Sequence, residues 1–221
     1  RWCAVSMSRT GMQLSVQLHR CPRDWSGEPV VIVASGPSTA RVDLSLIRGI
    51  RCLAVSNGCR AVPDADVLLF GGQTFARSGA VKQYDGPLIV MGNNPLDRGP
   101  FDPRMVYMRR AGPEGLATNP EELAASESSV MLAINYAVHR GCNRIILLGC
   151  DGKPGLAGER RFGSIAPDNG SAYVRYREQE MAMATQIKPL AELGVGVVNC
   201  SPGTALTIYK RADLEDAIAA L

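Results

Sequence analysis

The amino-acid sequence predicts a single α/β domain of the Rossmann-like kind, with a mostly parallel sheet and helices on both faces. Several short runs are apolar throughout rather than alternating with polar residues, as expected for strands that helices cover on both faces. The carboxyl half of the chain repeats the order strand, helix, strand, which favours parallel pairing. A length of 221 residues suits one domain better than two, since a domain holds about 150 residues.

Each predicted strand is a run rich in apolar and β-branched residues that stops abruptly at a turn signal. The first run stops at Ser35-Gly36-Pro37-Ser38, and the second stops at Asn57-Gly58. The predicted strands are 30–34, 52–56, 67–70, 87–91, 105–108, 144–149 and 195–199. The residues before the first strand are polar and irregular, so the predicted organisation is an amino-terminal arm, 1–28, followed by a domain spanning 29–221.

Three helices are predicted between and after these strands. The strongest covers 124–140, with Ser126 or Ser128 able to cap its start and Gly141 to end it. A second helix covers 172–193, and Pro189 is expected to bend it. A short helix over 214–221 closes the chain.

The composition of the chain argues against several classes of function. The net charge of +3 is too small to indicate nucleic-acid binding, and no nucleic-acid partner is expected. No apolar run approaches the roughly 20 residues that span a bilayer, so no membrane association is expected. Seven cysteines without a CxxC pair, beside only two histidines, are typical of reduced core thiols in a cytoplasmic protein rather than of a zinc site. The oligomeric state is left open.

Ligands of open parallel sheets bind beyond the carboxyl ends of the strands. In this chain those positions hold small and hydrogen-bonding residues, whose backbone N–H groups and hydroxyls can hold phosphate oxygens. One turn of this kind is compatible with a purely structural role, whereas several in one sheet favour a ligand cleft. The candidate nucleotide-binding residues are Ser35, Gly36, Pro37, Ser38, Asn57, Gly71, Gly72, Asn93, Ser128 and Ser129.

Asp151 follows the clearest strand and is the candidate catalytic residue. Its carboxylate could act as a base or bind Mg²⁺ with a phosphate, and the alternative is that it orders the following loop. Lys153, Arg160 and Arg161 could neutralise phosphate or an acceptor, or they could belong to a solvated loop. His139 lies late on its helix and is interpreted as structural. Neither a GxGxxG nor a GxxxxGK[ST] motif is present.

Five segments resemble a known superfamily. The run from Val31 to Ser38, followed by Ala54–Asn57 and Ala65–Val67, is similar to the "GPS…N…aD" pattern of an α/β superfamily. This superfamily includes archaeal 6-hydroxymethylpterin diphosphokinase-like proteins, flagellin-modification accessory proteins and a bacterial sialyltransferase family. The segment Ser126–Asp151 resembles the same group, and Asn199–Leu206 is similar to a stretch in its small tailed-phage members. The resemblance covers roughly residues 25–215.

The resemblance implies the fold and two different activities. Diphosphokinase-like members transfer a diphosphate from ATP with Mg²⁺, whereas sialyltransferase members use a cytidine-monophosphate sugar. Gly36, Pro37, Ser38 and Asn57 match positions that hold the nucleotide in the sialyltransferases, and the Ser128–Ser129 pair matches in part.

The chain departs from both groups. It has Lys153 where the sialyltransferases carry a tyrosine, and it has no histidine between residues 140 and 221, where they place their base. The diphosphokinase-like members carry further acidic residues after the third strand, where this chain has Gly71-Gly72-Gln73.

The leading hypothesis from the sequence is therefore a nucleotide-dependent transferase that moves a phosphoryl or diphosphoryl group to a small hydroxyl-bearing substrate, since such chemistry rests on positioning and charge neutralisation. The first alternative is a glycosyltransferase that uses a nucleotide sugar. The second is a nucleotide- or sugar-binding module without catalysis. If a phage encodes the chain, its compartment would be the host cytoplasm.

Overall fold

Eight parallel strands form one sheet through the centre of the protein. The structure, a computed structural model, describes residues 18–76, 78–91, 102–124, 126, 128–155 and 172–221. The strands are β1 (Pro29–Val33), β2 (Arg51–Val55), β3 (Val67–Phe70), β4 (Leu88–Met91), β5 (Met105–Tyr107), β6 (Arg109–Arg110), β7 (Glu122–Leu123), β8 (Arg144–Leu148), β9 (Gly196–Asn199) and β10 (Lys210–Arg211). The predicted α/β fold with a parallel sheet is confirmed.

The strand order places a topological switch point at the middle of the sheet. The order is β10-β9-β8-β1-β2-β3-β4-β5, while β6 and β7 pair separately as a small parallel ladder. The chain therefore runs outward from β1 to β5, returns to the centre at β8, and then runs outward in the opposite direction. Such a reversal opens a crevice at the carboxyl ends of the two central strands, β1 and β8.

Helices cover both faces of this sheet. The α-helices are α1 (Gln73–Ala76), α2 (Gly79–Lys82), α3 (Ser129–Arg140), α4 (Ala172–Ala184), α5 (Ile187–Glu192) and α6 (Leu214–Ala219), and three 3-10 turns cover Pro37–Arg41, Leu44–Ile47 and Ser56–Arg60. None of the helices in the described part of the chain is long and apolar enough to cross a bilayer.

The strand side chains alternate between two cores, one on each face. Val30 and Ile32 of β1 pack with α3, whereas Val31 and Val33 face the 3-10 turns, α2 and α6. All four are fully buried, which explains why the strand sequences are apolar throughout. The six cysteines of the described residues are free and buried in these cores, as predicted.

Residues 18–28, which the sequence placed in a polar arm, carry an aromatic side chain into the core. Trp25 is 3% exposed, and the guanidinium of Arg140 stacks on its ring with the Cζ atom 3.7 Å from the ring centroid. The same guanidinium makes two hydrogen bonds to the Asp24 carboxylate, at 2.6 and 3.0 Å. These contacts tie the segment to the carboxyl end of α3.

The predicted helix over 124–140 begins five residues later than expected, at Ser129. Ser128 is extended, Glu122 and Leu123 pair with β6, and the Ala124 N–H donates to the buried Asn135 side chain. Tertiary contacts therefore override the helical pattern at this end. Gly141 ends the helix with a φ of 94°, as predicted.

The predicted helix over 172–193 is divided into α4 and α5, and the division lies upstream of the expected bend at Pro189. A proline ring clashes with the carbonyl four residues earlier, here that of Thr185, so helix α4 ends there and Pro189 sits in the first turn of α5. The Thr185 hydroxyl donates to the Ala182 carbonyl, and the Gln186 amide donates to Gly115 and Met131. These bonds fix the division.

Candidate functional site

A cleft with a volume of about 510 Å³ lies at the switch point, beyond the carboxyl ends of β1, β2, β3 and β8. Its walls are the turns after these strands, the amino-terminal end of α3, one face of α4 and the side chain of Leu206. Of the sequence-predicted residues, it is lined by Ser35, Gly36, Asn57, Gly72, Ser128, Ser129, Asp151 and Lys153. The strand-end rule therefore located a cleft, and the roles of these residues remain proposals.

Asp151 links the turns that follow the two central strands, β1 and β8. One of its carboxylate oxygens accepts from the backbone N–H of Ser38 at 2.8 Å, and the other accepts from the Ser38 hydroxyl. Asp151 is 8% exposed, and burial raises the pKa of its carboxyl group while the hydrogen bonds from Ser38 oppose the shift. The group is thus an immobilised carboxylate whose pKa is displaced toward neutrality, as general bases require.

The turns after β1 and β8 approach each other so closely that each needs a glycine. The Gly36 N–H donates to the Gly149 carbonyl at 2.8 Å. A Cβ atom on Gly36 would lie 2.7 Å from the Cγ atom of Asp151, and Gly149 itself has a φ of +66°. Gly36, which the sequence predicted to allow close approach of a ligand, therefore also allows close approach of two backbones, and Gly149 was not among the predicted site residues.

A buried polar network holds the turn after β8 from behind. The Ser201 hydroxyl accepts from the Cys150 N–H at 2.8 Å, and the Thr204 hydroxyl donates to the Cys150 carbonyl at 2.8 Å. The amide of Asn199 donates to the same carbonyl at 3.0 Å. These three side chains come from β9 and the following turn, so the Asn199–Thr204 run positions the backbone on which Asp151 stands.

The turn after β2 contains the one positive-φ residue other than glycine among the described residues. Ser56 has a φ of +50° and lines the cleft beside Asn57. An L-residue in this conformation is strained, and such strain clusters at binding sites. Ser56 belongs to the candidate site although sequence reasoning selected only its neighbour Asn57.

The amino-terminal end of α3 faces the cleft through Ser128 and Ser129. Ser128 is the N-cap residue, but its hydroxyl makes no capping hydrogen bond, so the predicted capping role is not seen. The first N–H groups of the helix then face the cleft with their positive partial charge. Gly71 lies against this end, with its Cβ position 3.8 Å from the Ser129 hydroxyl, whereas Gly72 is exposed in the cleft.

Helix α4 supplies cleft residues that sequence reasoning missed. Arg175, Tyr176, Gln179 and Met183 line the cleft. The spacing of Arg175, Gln179 and Met183 is four residues, which places them along one stripe of a helix and could have indicated a shared face. Phe75, on α1, and Ser78, the residue before α2, also line the cleft.

The described residues that line the cleft include one carboxylate and two cationic side chains. Asp151 is its acidic residue, and Lys153 and Arg175 are its basic ones. Lys153, together with Arg41, acts against the rise in the pKa of Asp151. A cleft of this charge, beside a helix amino terminus, suits an anion such as a phosphate group.

The donor set fits a protein-held metal ion poorly. Among the described residues, no group of three or more His, Cys, Asp or Glu side chains could hold a metal ion. The described residues therefore place no cluster of three such ligands around Asp151, the predicted magnesium ligand.

Neither the Cys150 thiol nor the His139 ring is suited to a reaction in the cleft. Burial raises the pKa of the Cys150 thiol to about 12, so it is not a thiolate nucleophile at neutral pH. The His139 ring places its Nε2 atom 2.9 Å from the Glu122 carbonyl and outside the cleft, which agrees with the predicted structural role.

Three predicted residues cannot be placed in this geometry. Asn93, Arg160 and Arg161 lie outside the described residues. Pro37 and Ser38 are described but lie behind the cleft surface, in the 3-10 turn that Asp151 holds.

Comparison with solved structures finds the same fold in a glycosyltransferase. The MAf glycosyltransferase from Magnetospirillum magneticum AMB-1 matches 93% of this chain with a TM-score of 0.56 and 14% sequence identity. This chain spans 38% of the length of that protein. The sialyltransferase CstII from Campylobacter jejuni, solved with the substrate analogue cytidine-5'-monophosphate, matches 84% of this chain and 85% of its own, with a TM-score of 0.48 and 13% identity. No protein-family model and no curated protein matches the chain.

Proposed function

We propose that this domain binds a nucleotide sugar in the cleft at the switch point and transfers its glycosyl group to an acceptor hydroxyl. The observation that carries the proposal is the cleft itself. It combines a buried, immobilised carboxylate at Asp151 with the start of α3 and with the cations Lys153 and Arg175. A phosphate-bearing donor fits the cations and the helix end, and an acceptor proton fits the carboxylate.

Glycosyl transfer explains the cleft better than the phosphoryl or diphosphoryl transfer favoured by the sequence. Enzymes that transfer phosphoryl groups place divalent cations on the phosphates, and protein carboxylates usually hold those ions. The described cleft has Asp151 as its acidic residue, and the turn after β3 carries Gly71 and Gly72 in place of acids. The shared fold with a glycosyltransferase over 93% of the chain also supports this choice.

In the proposed reaction the described residues bind and orient the substrates and accept one proton. Ser129 and the α3 amino terminus would hold the donor phosphate together with Lys153, and Asn57 would bond the nucleoside. An ionised carboxylate has about four lone-pair positions, of which Ser38 uses two. The remaining positions of Asp151 would accept the proton of the attacking hydroxyl, and the raised pKa of Asp151 makes it a stronger base than a solvated aspartate.

Thermal unfolding against a ligand panel tests the donor class. The panel contains CMP, UMP, ATP and common nucleotide sugars, each with Mg²⁺ and with a chelator. A ligand at 100 times its Kd stabilises the folded state by about 2.7 kcal/mol, which a melting curve resolves. We expect stabilisation by a nucleotide or nucleotide sugar that persists in the chelator, and release of free nucleotide from that nucleotide sugar.

Matched asparagine variants locate the binding. Asn57→Ala should weaken nucleotide binding about tenfold, the value of one good hydrogen bond, whereas Asn143→Ala, at an exposed position away from the cleft, should not. Stabilisation by ATP that requires Mg²⁺ would contradict glycosyl transfer in favour of diphosphoryl transfer. Binding without any release of nucleotide would indicate a non-catalytic module.

A further inference from the structure

A second pocket adjoins the cleft on the outer side of α4. It has a volume of about 550 Å³ and shares two wall residues, Gly152 and Tyr176, with the cleft. Its other walls are one side of α4 and the segment from Ala205 to Ile208. The two cavities therefore share the turn at Gly152 and the side chain of Tyr176 as a common wall, and Gly152 follows Asp151 directly in the chain.

The walls of this pocket carry both apolar and charged side chains. Met181, Ala184, Ala205 and Ile208 contribute the apolar surface, and Arg177 contributes a cation. Met181 is 65% exposed, an unusual fraction for a large apolar side chain on a structured helix. Such a surface suits a ligand that has an apolar face and polar groups around it.

Thr207 holds the carboxylate of Glu180 in the wall of the pocket. Its Oε1 atom accepts from the N–H of Thr207 at 2.9 Å and from the Thr207 hydroxyl at 3.2 Å. The second carboxylate oxygen takes no part in these two bonds. Thr207 thus fixes a hydrogen-bond acceptor on the same helix as Met181, and the free lone pairs of a carboxylate can accept from sugar hydroxyls.

We propose that this second pocket is the acceptor site and takes a saccharide, whose C–H face packs on Met181 and Ile208 and whose hydroxyls reach Glu180. This inference rests on the proposed glycosyl transfer. The acceptor hydroxyl oxygen forms a bond to the anomeric carbon of the donor, and the bond from that carbon to the phosphate oxygen breaks. The phosphate oxygen keeps the electron pair, and the hydroxyl proton passes to the carboxylate of Asp151.

Two methionines of α4 report separately on the two cavities. Met181 lies in the second pocket, and Met183 lines the cleft. In protein labelled with ¹³C at the methionine methyl groups, Met181→Leu and Met183→Leu assign the two signals. We expect nucleotide to shift the Met183 signal and methyl hexopyranosides, added with or without saturating nucleotide, to shift the Met181 signal in a saturable manner.

Pocket-filling variants complete the test. Ala184→Trp and Ala205→Trp place an indole in the pocket from its two opposite walls, and both positions are exposed, so the fold should tolerate them. Each should weaken saccharide binding at least tenfold and leave nucleotide binding unchanged. Ala191→Trp, at an exposed position on α5 outside the pocket, is the control and should change neither.

The outcomes separate this inference from the proposed function. A Met181 signal that no hexopyranoside shifts, or a shift that survives in both tryptophan variants, would overturn the acceptor site even if nucleotide shifts Met183. A Met183 signal that no nucleotide or nucleotide sugar shifts would instead count against the proposed donor cleft, and the response of Met181 would still decide whether the second pocket binds saccharide.

Discussion

The carboxylate of Asp151, after β8, holds Ser38, after β1, through hydrogen bonds from its backbone N–H and its hydroxyl. The two residues are 113 positions apart in the chain and meet because β8 returns to the side of β1. This contact closes the back of the cleft, and it makes Asp151 both a structural link and the candidate base.

Replacement of Asp151 by asparagine should separate these two roles. In Asp151→Asn the amide oxygen can still accept from the Ser38 N–H and the amide nitrogen can donate to its hydroxyl, so the turn should keep its position. We expect nucleotide affinity to change less than about threefold, under 1 kcal/mol. Glycosyl transfer should fall by about 10²- to 10⁴-fold, the usual contribution of a general base.

Asp85→Asn, at an exposed position outside the cleft, is the matched control and should transfer normally. Titration calorimetry and product release measured on the same preparations separate affinity from turnover. An Asp151→Asn variant that transfers at the normal rate would show that Asp151 orders the turn and takes no proton.

A methyl group on Gly36 should disrupt the contact between the two turns. In Gly36→Ala the new Cβ atom would lie 2.7 Å from the Cγ atom of Asp151 and closer still to the Gly149 carbonyl oxygen. Backbone must move to relieve this overlap, so we expect the free energy of unfolding to fall by about 1–3 kcal/mol and nucleotide affinity to fall with it.

Gly79→Ala provides the comparison, because a Cβ atom at Gly79 meets no atom within 4 Å. Its free energy of unfolding should stay within about 0.5 kcal/mol of the parent value. Urea denaturation of both variants measures the difference. Equal stabilities for the two alanine variants would mean that the turns after β1 and β8 are less closely packed than described.

The sequence was sufficient to predict seven of the eight strands of the main sheet and the side of the sheet that carries the cleft, whereas the two-residue strands β6, β7 and β10 are too short to leave a pattern and were missed. Each predicted strand is an apolar run that ends at a turn signal, and the carboxyl ends of parallel strands lie at one edge of the sheet. The pairing of β8 with β1 depends on contacts between distant residues, so the bond between Asp151 and Ser38 was not predictable from local patterns. The cleft face of α4 was missed for the same reason, since periodicity defines a stripe but not the surface that it meets.

Removal of the Trp25 side chain should test whether the amino-terminal segment belongs to the folded unit. The indole is 3% exposed and lies beneath the Arg140 guanidinium, so Trp25→Ala leaves a cavity and removes a cation–π contact. We expect a loss of about 3–5 kcal/mol in the free energy of unfolding. Leu193→Ala, where the side chain is 60% exposed, should lose less than about 0.5 kcal/mol. A Trp25→Ala variant as stable as Leu193→Ala would indicate that residues 18–28 are a separable arm.

Acidification should destabilise the protein through its two histidines. Burial lowers the pKa of His139 and of His19 below the usual value, and the charge of Arg140 lowers that of His19 further. Between the folded-state pKa values and the unfolded value of about 6.5, the unfolded chain binds more protons than the folded one. The free energy of unfolding therefore falls as pH drops below about 6.5, by at most about 1.4 kcal/mol per pH unit for each histidine.

Urea denaturation at several pH values between about 5 and 8 measures this dependence. The His139→Gln variant keeps an N–H donor for the Glu122 carbonyl and cannot titrate, so its stability should depend less on pH than that of the parent. The double variant with His19→Gln should show the weakest dependence in this range. If the double variant loses stability as steeply as the parent, the proton uptake belongs to groups other than the histidines, and burial of their neutral rings does not set the acid sensitivity of the fold.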